Sequence, residues 1–500
     1  MTHRVRRCAA VAVTAALLAV ACSSNASQDA GGASAASSTA VSSAAAVSTT
    51  TEQTTKAAPT SALSEPASAG AAGVGDPYFP TLGNGGYDVA RYDVAIVADP
   101  PASTAIAVRT TLTATATIAL GSFHLDLAGM TVDAVSVDGI TASFRRDGEE
   151  LVVTPQRALT AGARFVTTVD YRGTPAPVAD AELTQLGWLR TLDATYVVSE
   201  PNGAHGWLAS SDHPSDKAAF TFRIDVPVGI TAAANGRLVS AESANGRTTW
   251  VWDSPEPMAT YLATVAIGAF TVLDNGTAAG VRIRHVVPTS LAQPVAAAVA
   301  RTGEMLEVLS SMFGPFPFGD YGALVIDARL GFALETQTLS LFDRQIILSP
   351  STVVFQVHEM AHQWFGDSVT PRTWRDIWLN EGFATYAESL WRERTDPSFE
   401  IDATMRTLAR RAFAPIGDPG ASDLFARAVY DRGALTLHAL RRTVGDESFF
   451  ATLRTWAAQF AHANASSADF VRVANAVSGR DVAPLIDAWL NAEVMPQLPG

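Results

Sequence analysis

From Tyr87 to about residue 270 apolar and polar positions alternate with a period of two. Tyr92, Val94 and Ile96 alternate with polar neighbours, Ile106, Val108, Thr110 and Leu112 repeat the pattern, and Val132, Ala134 and Ser136 stand against Val135 and Val137. That period sends successive side chains to opposite faces of a strand, so this half is predicted to be β. Asp147-Gly148, Asn235-Gly236 and Asn245-Gly246 carry the signal of two-residue hairpin turns. Near residue 290 the period lengthens to that of a helix. Residues 292–312 are rich in Ala, Leu and Met, and Phe313-Gly314-Pro315 stops that helix. A short β region from Tyr321 to Ile347 comes next. Helices are then predicted over 352–365, 379–393, 402–414, 425–443, 447–462, 467–477 and 482–492. The fold class is multi-domain, an antiparallel β domain followed by a mainly α domain.

The first residues read as a processing segment. Arg4, Arg6 and Arg7 precede an apolar run from Cys8 to Ala21, too short to span a bilayer but right for a signal peptide. The run ends Leu18-Ala19-Val20-Ala21-Cys22, which resembles a lipobox, with Ala19 where Leu is usual. Cys22 would then be the lipidated first residue of an exported, surface-anchored protein, the alternative being plain secretion after cleavage near Ala21. Residues 23–75 are a Ser/Ala/Thr-rich tether that cannot offset its ordering entropy. The organisation predicted is a signal segment over 1–22, the tether over 23–75, the β domain over 76–275 and the helical domain over 276–500. No second apolar run is long enough to cross a membrane, so any membrane contact is through Cys22.

Composition removes other classes. The formal net charge of −14, with no Lys/Arg-rich run, argues against nucleic acid and anionic lipid as partners. Cys8 and Cys22 are the only cysteines, which leaves neither a disulfide scaffold nor a thiol site.

The chemistry is concentrated in His358-Glu359-Met360-Ala361-His362 and, after an eighteen-residue gap, Glu381. On a helix His358 and His362 are one turn apart, about 6 Å, and share a face. Two imidazoles at that spacing converge on one zinc ion, Glu381 from the next helix is the third ligand, and the fourth position is left open for catalysis. Glu359, at the edge of the same face, is placed to act as a general base toward a water there. Glu388 lies about two turns beyond Glu381 and could support a ligand. A surface carboxylate explains it equally well, so it is left out of the site. His124, His205, His213, His285, His438 and His462 lack ligand spacing and read as structural or exposed.

Around these residues the chain, from about residue 80 onward, resembles the aminopeptidase N family of zinc metallopeptidases, which includes the leukotriene hydrolases. The likeness rests on His358 to Asp367, on Trp378-Leu379-Asn380-Glu381-Gly382-Phe383-Ala384, and on Gly331-Phe332-Ala333-Leu334-Glu335-Thr336, which resembles the family's Gly-x-Met-Glu-Asn strand. Thr336 replaces the usual Asn and Phe332 the first Gly. Val429-Tyr430-Asp431-Arg432-Gly433-Ala434 is similar to the family's Tyr-Glu-Lys-Gly segment, and Ser199-Glu200-Pro201 to a segment of the N-terminal domain that reaches the active site.

The resemblance implies a saddle-like β domain, a thermolysin-like catalytic domain, and one zinc ion held by His358, His362 and Glu381. It implies that Tyr430 stabilises the tetrahedral intermediate and that Glu335 and Glu200 bind the substrate's α-ammonium. A contact of roughly 1.5–3 kcal/mol there favours a free N-terminus about 10- to 100-fold over a blocked one. Larger relatives add a helical domain for which this sequence has no room after Trp489-Leu490, so a more open cleft is expected. The function implied is a zinc aminopeptidase acting on peptides with a free N-terminus. Its competitors are a lax endopeptidase and a non-catalytic surface lipoprotein that uses the fold for binding.

Overall fold

The computed structural model describes residues 67–180 and 182–500. The signal segment 1–22, Cys22 and the tether as far as residue 66 lie outside the described residues. Residues 67–75, expected to belong to the tether, are instead part of the folded chain. Ser68–Ala69 pairs in parallel with Leu120–Asp126, and the buried Asp76 accepts from the backbone N–H of Tyr78 at 2.7 Å and of Trp374 at 3.2 Å. These contacts make residues 68–76 part of the fold.

The period-two stretches Tyr87–Ala98, Ile106–Ala116 and Arg164–Gly173 lie side by side in an eight-stranded sheet, with Ala218–Pro227 and then Arg247–Met258 on the far side of Tyr87–Ala98. Tyr92, Val94, Ile96, Val108 and Leu112 are buried, as the alternation requires. In Thr131–Val137 a register shift between Val132 and Ala134 changes the phase of the strand. Val135 and Val137 therefore take the buried positions and Val132 does not. A five-stranded sheet, ordered Val178–Asp180, Thr184–Arg190, Ala194–Val198, Val265–Gly268 and Thr231–Ala234, follows. Val265–Gly268 is buried along its whole length.

Two of the three hairpin signals form hairpins. Asp147-Gly148 joins Ser143–Asp147 to Glu150–Thr154. Asn245-Gly246 joins Arg237–Ala244 to Arg247–Met258, with φ of 53° and 77°. Asn235-Gly236 does something else, since the strands on either side belong to different sheets. The buried Asn235 side chain donates to the carbonyls of Leu262 and Gln337, at 2.9 and 2.8 Å, and accepts from Thr264 N–H at 2.7 Å. It is a bridge between sheets.

The downstream half begins earlier than residue 276. Phe270–Ala278, across whose end that boundary was drawn, pairs with Val281–Pro288 in a sheet that continues through Ala323–Ile326 and Ser340–Asp343 to the short edge strand Ala333–Leu334. The helix expected over 292–312 is broken into Ala292–Ala298 and Thr302–Phe313. The Thr302 hydroxyl bonds the Val299 carbonyl at 2.7 Å and so competes with a continuous helix. The helix expected over 402–414 is Ile401–Leu408. It buries only Ile401 and Met405, and the Arg410-Arg411 turn beyond has no apolar face to seat. Thr352–His362, Trp378–Thr395, Arg427–Val444, Asp446–Gln459, Ser467–Ser478 and Ala483–Asn491 complete the helical half. None of the described helices is long and apolar enough to cross a membrane.

Candidate metal centre

Three helices and one edge strand build the site. Thr352–His362 packs Val357, Met360 and Ala361 into the core, which fixes the rotation that turns His358 and His362 to one side. Their rings lie 4.8 Å apart between centroids. Trp378–Thr395 brings Glu381 against them, its Oε2 at 3.3 Å from His358 Nε2 and 3.5 Å from His362 Nε2.

The position of that helix depends on a crossing with Arg427–Val444. There Gly382 and Gly433 meet backbone to backbone, and a Cβ added to Gly433 would lie 2.7 Å from Gly382 Cα. The same crossing delivers Tyr430, whose ring stacks over His358 at 6.0 Å and 21°. Glu335 follows the edge strand Ala333–Leu334. Glu200 arrives from the other half, just after Ala194–Val198. Ligand atoms of Glu200, Glu335 and Glu381 lie within 4.8 Å of one another, as do those of Glu335, Glu359 and His362. Each residue assigned to the site in the downstream half, together with Glu200, comes into one cluster, in which His358 and Tyr430 are half-buried and the others buried. Cys22 lies outside the described residues.

The donor set fits zinc. Arms of about 2.0–2.1 Å meeting at the tetrahedral angle hold their ends about 3.3–3.4 Å apart, and the two Nε2–Oε2 separations are 3.3 and 3.5 Å. Both imidazoles offer Nε2 because Nδ1 is engaged. His358 Nδ1 donates to Glu388 Oε1 at 2.8 Å, and His362 Nδ1 donates to the Phe365 carbonyl at 3.1 Å.

Charge points the same way. Burial raises Glu335, and it raises Glu200 well above the usual carboxylate range, with Glu335 and Glu381 pushing Glu200 further. Burial lifts Glu359 to about 8 against the pull of His358 and His362. Burial disfavours a charged His362, but Glu335 and Glu381 overcome it and take the ring up to about 9. Burial would raise Glu381 too, yet the two imidazoles hold it at about 2. Four buried carboxylates, Glu200, Glu335, Glu359 and Glu381, thus call for positive charge among them. A divalent ion supplies that charge.

Two supporting residues were not assigned from the sequence. Glu388 orients His358, and its two-turn spacing from Glu381 was the available signal. Gln363 accepts from Thr338 N–H at 2.8 Å and donates to the Glu335 carbonyl at 2.9 Å. It thereby ties the Glu335 segment to the end of the His358–His362 helix, and nothing in the spacing announces that. His205 and His213 pair with Asp212 and Asp76, at 2.9 and 3.1 Å, away from the cluster. Lys217 donates at 2.8 Å to the carbonyls of Asp367 and Ser368, linking the β half to the turn after His362.

Comparison with known proteins agrees with this geometry. Residues 297–489 match the peptidase family M1 domain and residues 90–262 the peptidase M1 N-terminal domain. The crystal structure of an M1 zinc metallopeptidase from Deinococcus radiodurans superposes with a TM-score of 0.79 at 33% identity, over 86% of this chain and 99% of that one. A mutant of it bound to a Tyr-Ser-Ala substrate gives 0.79 at 32% identity, with the same coverage. Among curated proteins, the leucyl aminopeptidase of Saccharolobus solfataricus is 25% identical over 75% of this chain and 50% of its own length. Aminopeptidase M1-D of Oryza sativa is 28% identical over 57% of this chain and 35% of its own. The chain thus spans about a third to a half of these curated relatives.

Proposed function

This chain belongs to peptidase family M1, and from that premise we propose that it is a zinc-dependent aminopeptidase, holding one ion per chain and releasing the N-terminal residue of peptides. The observation that carries the reading is the second carboxylate pair. Glu200 and Glu335 lie within 4.8 Å of the ligand Glu381, where they receive an α-ammonium and leave the first peptide bond over the ligand cluster. Bound through His358, His362 and Glu381, zinc supplies Lewis acidity to the scissile carbonyl and the attacking water.

Glu359 takes the proton of that water and passes it to the leaving amine; burial lifts its carboxyl to about 8, and the positive charge of the neighbouring His358 and His362 pulls it back toward the ionised form that accepts a proton. Burial raises the Tyr430 phenol well above 10, so it remains a neutral donor and hydrogen-bonds the oxygen that gains charge as the carbonyl carbon becomes tetrahedral. The Tyr-Ser-Ala substrate of the Deinococcus radiodurans relative supports peptides as the substrate class.

The test is hydrolysis of aminoacyl arylamides and short peptides against their N-acetylated forms. Free N-termini should be preferred by at least tenfold. Activity should be lost on chelation, regained with zinc, and reduced at least a hundredfold in Glu359→Gln. Equal cleavage of acetylated peptides would make it an endopeptidase. The same proposal places the chain outside the cytoplasm, anchored at Cys22, for which labelling with a radioactive fatty acid and its loss in Cys22→Ser is the check.

A further inference from the structure

The turn after His362 uses its N–H groups to close on itself. Gly366 N–H donates to the Val369 carbonyl at 2.9 Å, Asp367 N–H to the His362 carbonyl at 2.9 Å, and Ser368 N–H to the Gln363 carbonyl at 3.1 Å. The carbonyls of the same residues accept from side chains of the β half. The Tyr261 hydroxyl donates to Gly366 at 3.3 Å, and Lys217 Nζ donates to Asp367 and to Ser368, both at 2.8 Å. Thr370, within the turn, also reaches the Asp367 carbonyl, at 3.0 Å. The preceding carbonyl, that of Phe365, accepts the Nδ1 proton of His362. Phe365 C=O and Gly366 N–H share one peptide plane, so whatever holds Gly366 directs the oxygen to which the His362 ring is bound.

The Tyr261 hydroxyl has a second partner, Asn380 Nδ2, which donates to it at 3.3 Å. Asn380 immediately precedes Glu381. One buried oxygen therefore joins the two segments that carry His362 and Glu381. Gly366 fills the gap between them at a φ of 137°, and a Cβ there would lie 3.2 Å from Asn380 Nδ2 and 3.3 Å from His362 Nδ1. The donors stand on a stiff base. Tyr261 is buried, with its ring edge-on to Trp374 at 5.0 Å. Its neighbour Thr260 donates to Asp212 at 2.7 Å, which ties the segment of Tyr261 to that of Lys217.

We infer that Tyr261 and Lys217 are positioning residues for the metal: by holding the 366–368 turn, the β half sets the orientation of His362 and its distance from Glu381. This role presumes the reading of His362 and Glu381 as zinc ligands. It makes metal affinity a property of both halves, although all three ligands come from one.

Tyr261→Phe is the decisive variant, since it removes a single oxygen, keeps the packed ring, and leaves the Gly366 carbonyl and the Asn380 amide without their partner. Zinc affinity, measured by competition with a chelator, should fall about tenfold in Tyr261→Phe and in Lys217→Met. Cobalt(II) loaded in place of zinc should show an altered visible absorption spectrum in both, because its bands follow ligand geometry. Tyr78→Phe is the control. It deletes another hydroxyl that joins the halves, through Asp418 and Gly420, and should leave zinc affinity and the cobalt spectrum unchanged. A folded Tyr261→Phe with the parent affinity and spectrum would overturn the inference. So would an equal loss in Tyr78→Phe, which would make the effect one of the whole contact between the halves. An unaltered chain that binds no zinc would overturn the zinc reading itself, and this role with it.

Discussion

Glu388 shows how a single side chain acts through another. By accepting the Nδ1 proton of His358 it fixes which ring nitrogen faces the site. Glu388→Ala should weaken zinc binding about 10- to 100-fold, measured by competition with a chelator, while the folded protein survives. A second buried carboxylate gives a pH signature. Burial raises Asp216 to about 7, against a hydrogen bond from Val89 N–H. The folded chain keeps this proton between about 3.8 and 7, where the unfolded chain has lost it, so stability falls as pH rises through that window and is level above it. Asp216→Asn should flatten the fall and raise the melting temperature at pH 8. A shallower slope should persist from Glu150, which burial also lifts to about 7. At this scale the sequence was readable where spacing carries geometry, as for His358, His362 and Glu381. Glu388 and Gln363 were not, because a supporting hydrogen bond depends on which rotamer meets which backbone across two elements.

Between elements, the Gly382–Gly433 crossing sets the site more than any helix propensity does. Gly433→Ala forces the two backbones apart, since its Cβ would meet Gly382 Cα at 2.7 Å. The expected cost is about 1–3 kcal/mol in denaturant unfolding, with a larger proportional loss of kcat because Glu381 and Tyr430 move together. Helices with one clear apolar face and a terminating residue, such as Ser467–Ser478, which buries Phe470, Val473 and Ala474 before Gly479, were legible from periodicity. Asn235-Gly236 was misread because the hairpin signal is local, whereas the partner of each strand was decided by the Leu262 and Gln337 carbonyls far along the chain. The break at residue 299 was likewise hidden in a run of alanines.

For the whole molecule, the metal is expected to stabilise as well as catalyse, since it binds only the folded arrangement of ligands from two helices. Chelation should lower the melting temperature, and zinc added back should restore it in proportion to the logarithm of its free concentration.

The first described residues carry a different message about the two halves. Asp76 reaches Trp374 N–H, while the Tyr78 hydroxyl donates to Asp418 at 2.5 Å and accepts from Gly420 N–H at 2.9 Å. The stretch that opens the β half is thus clasped onto the helical half, nearly 300 positions or more along the chain. A protease nick between the halves should therefore leave both fragments co-eluting, whereas trimming back to Tyr87 should loosen their association. Anything pulling on the N-terminus would load the floor of the catalytic half first.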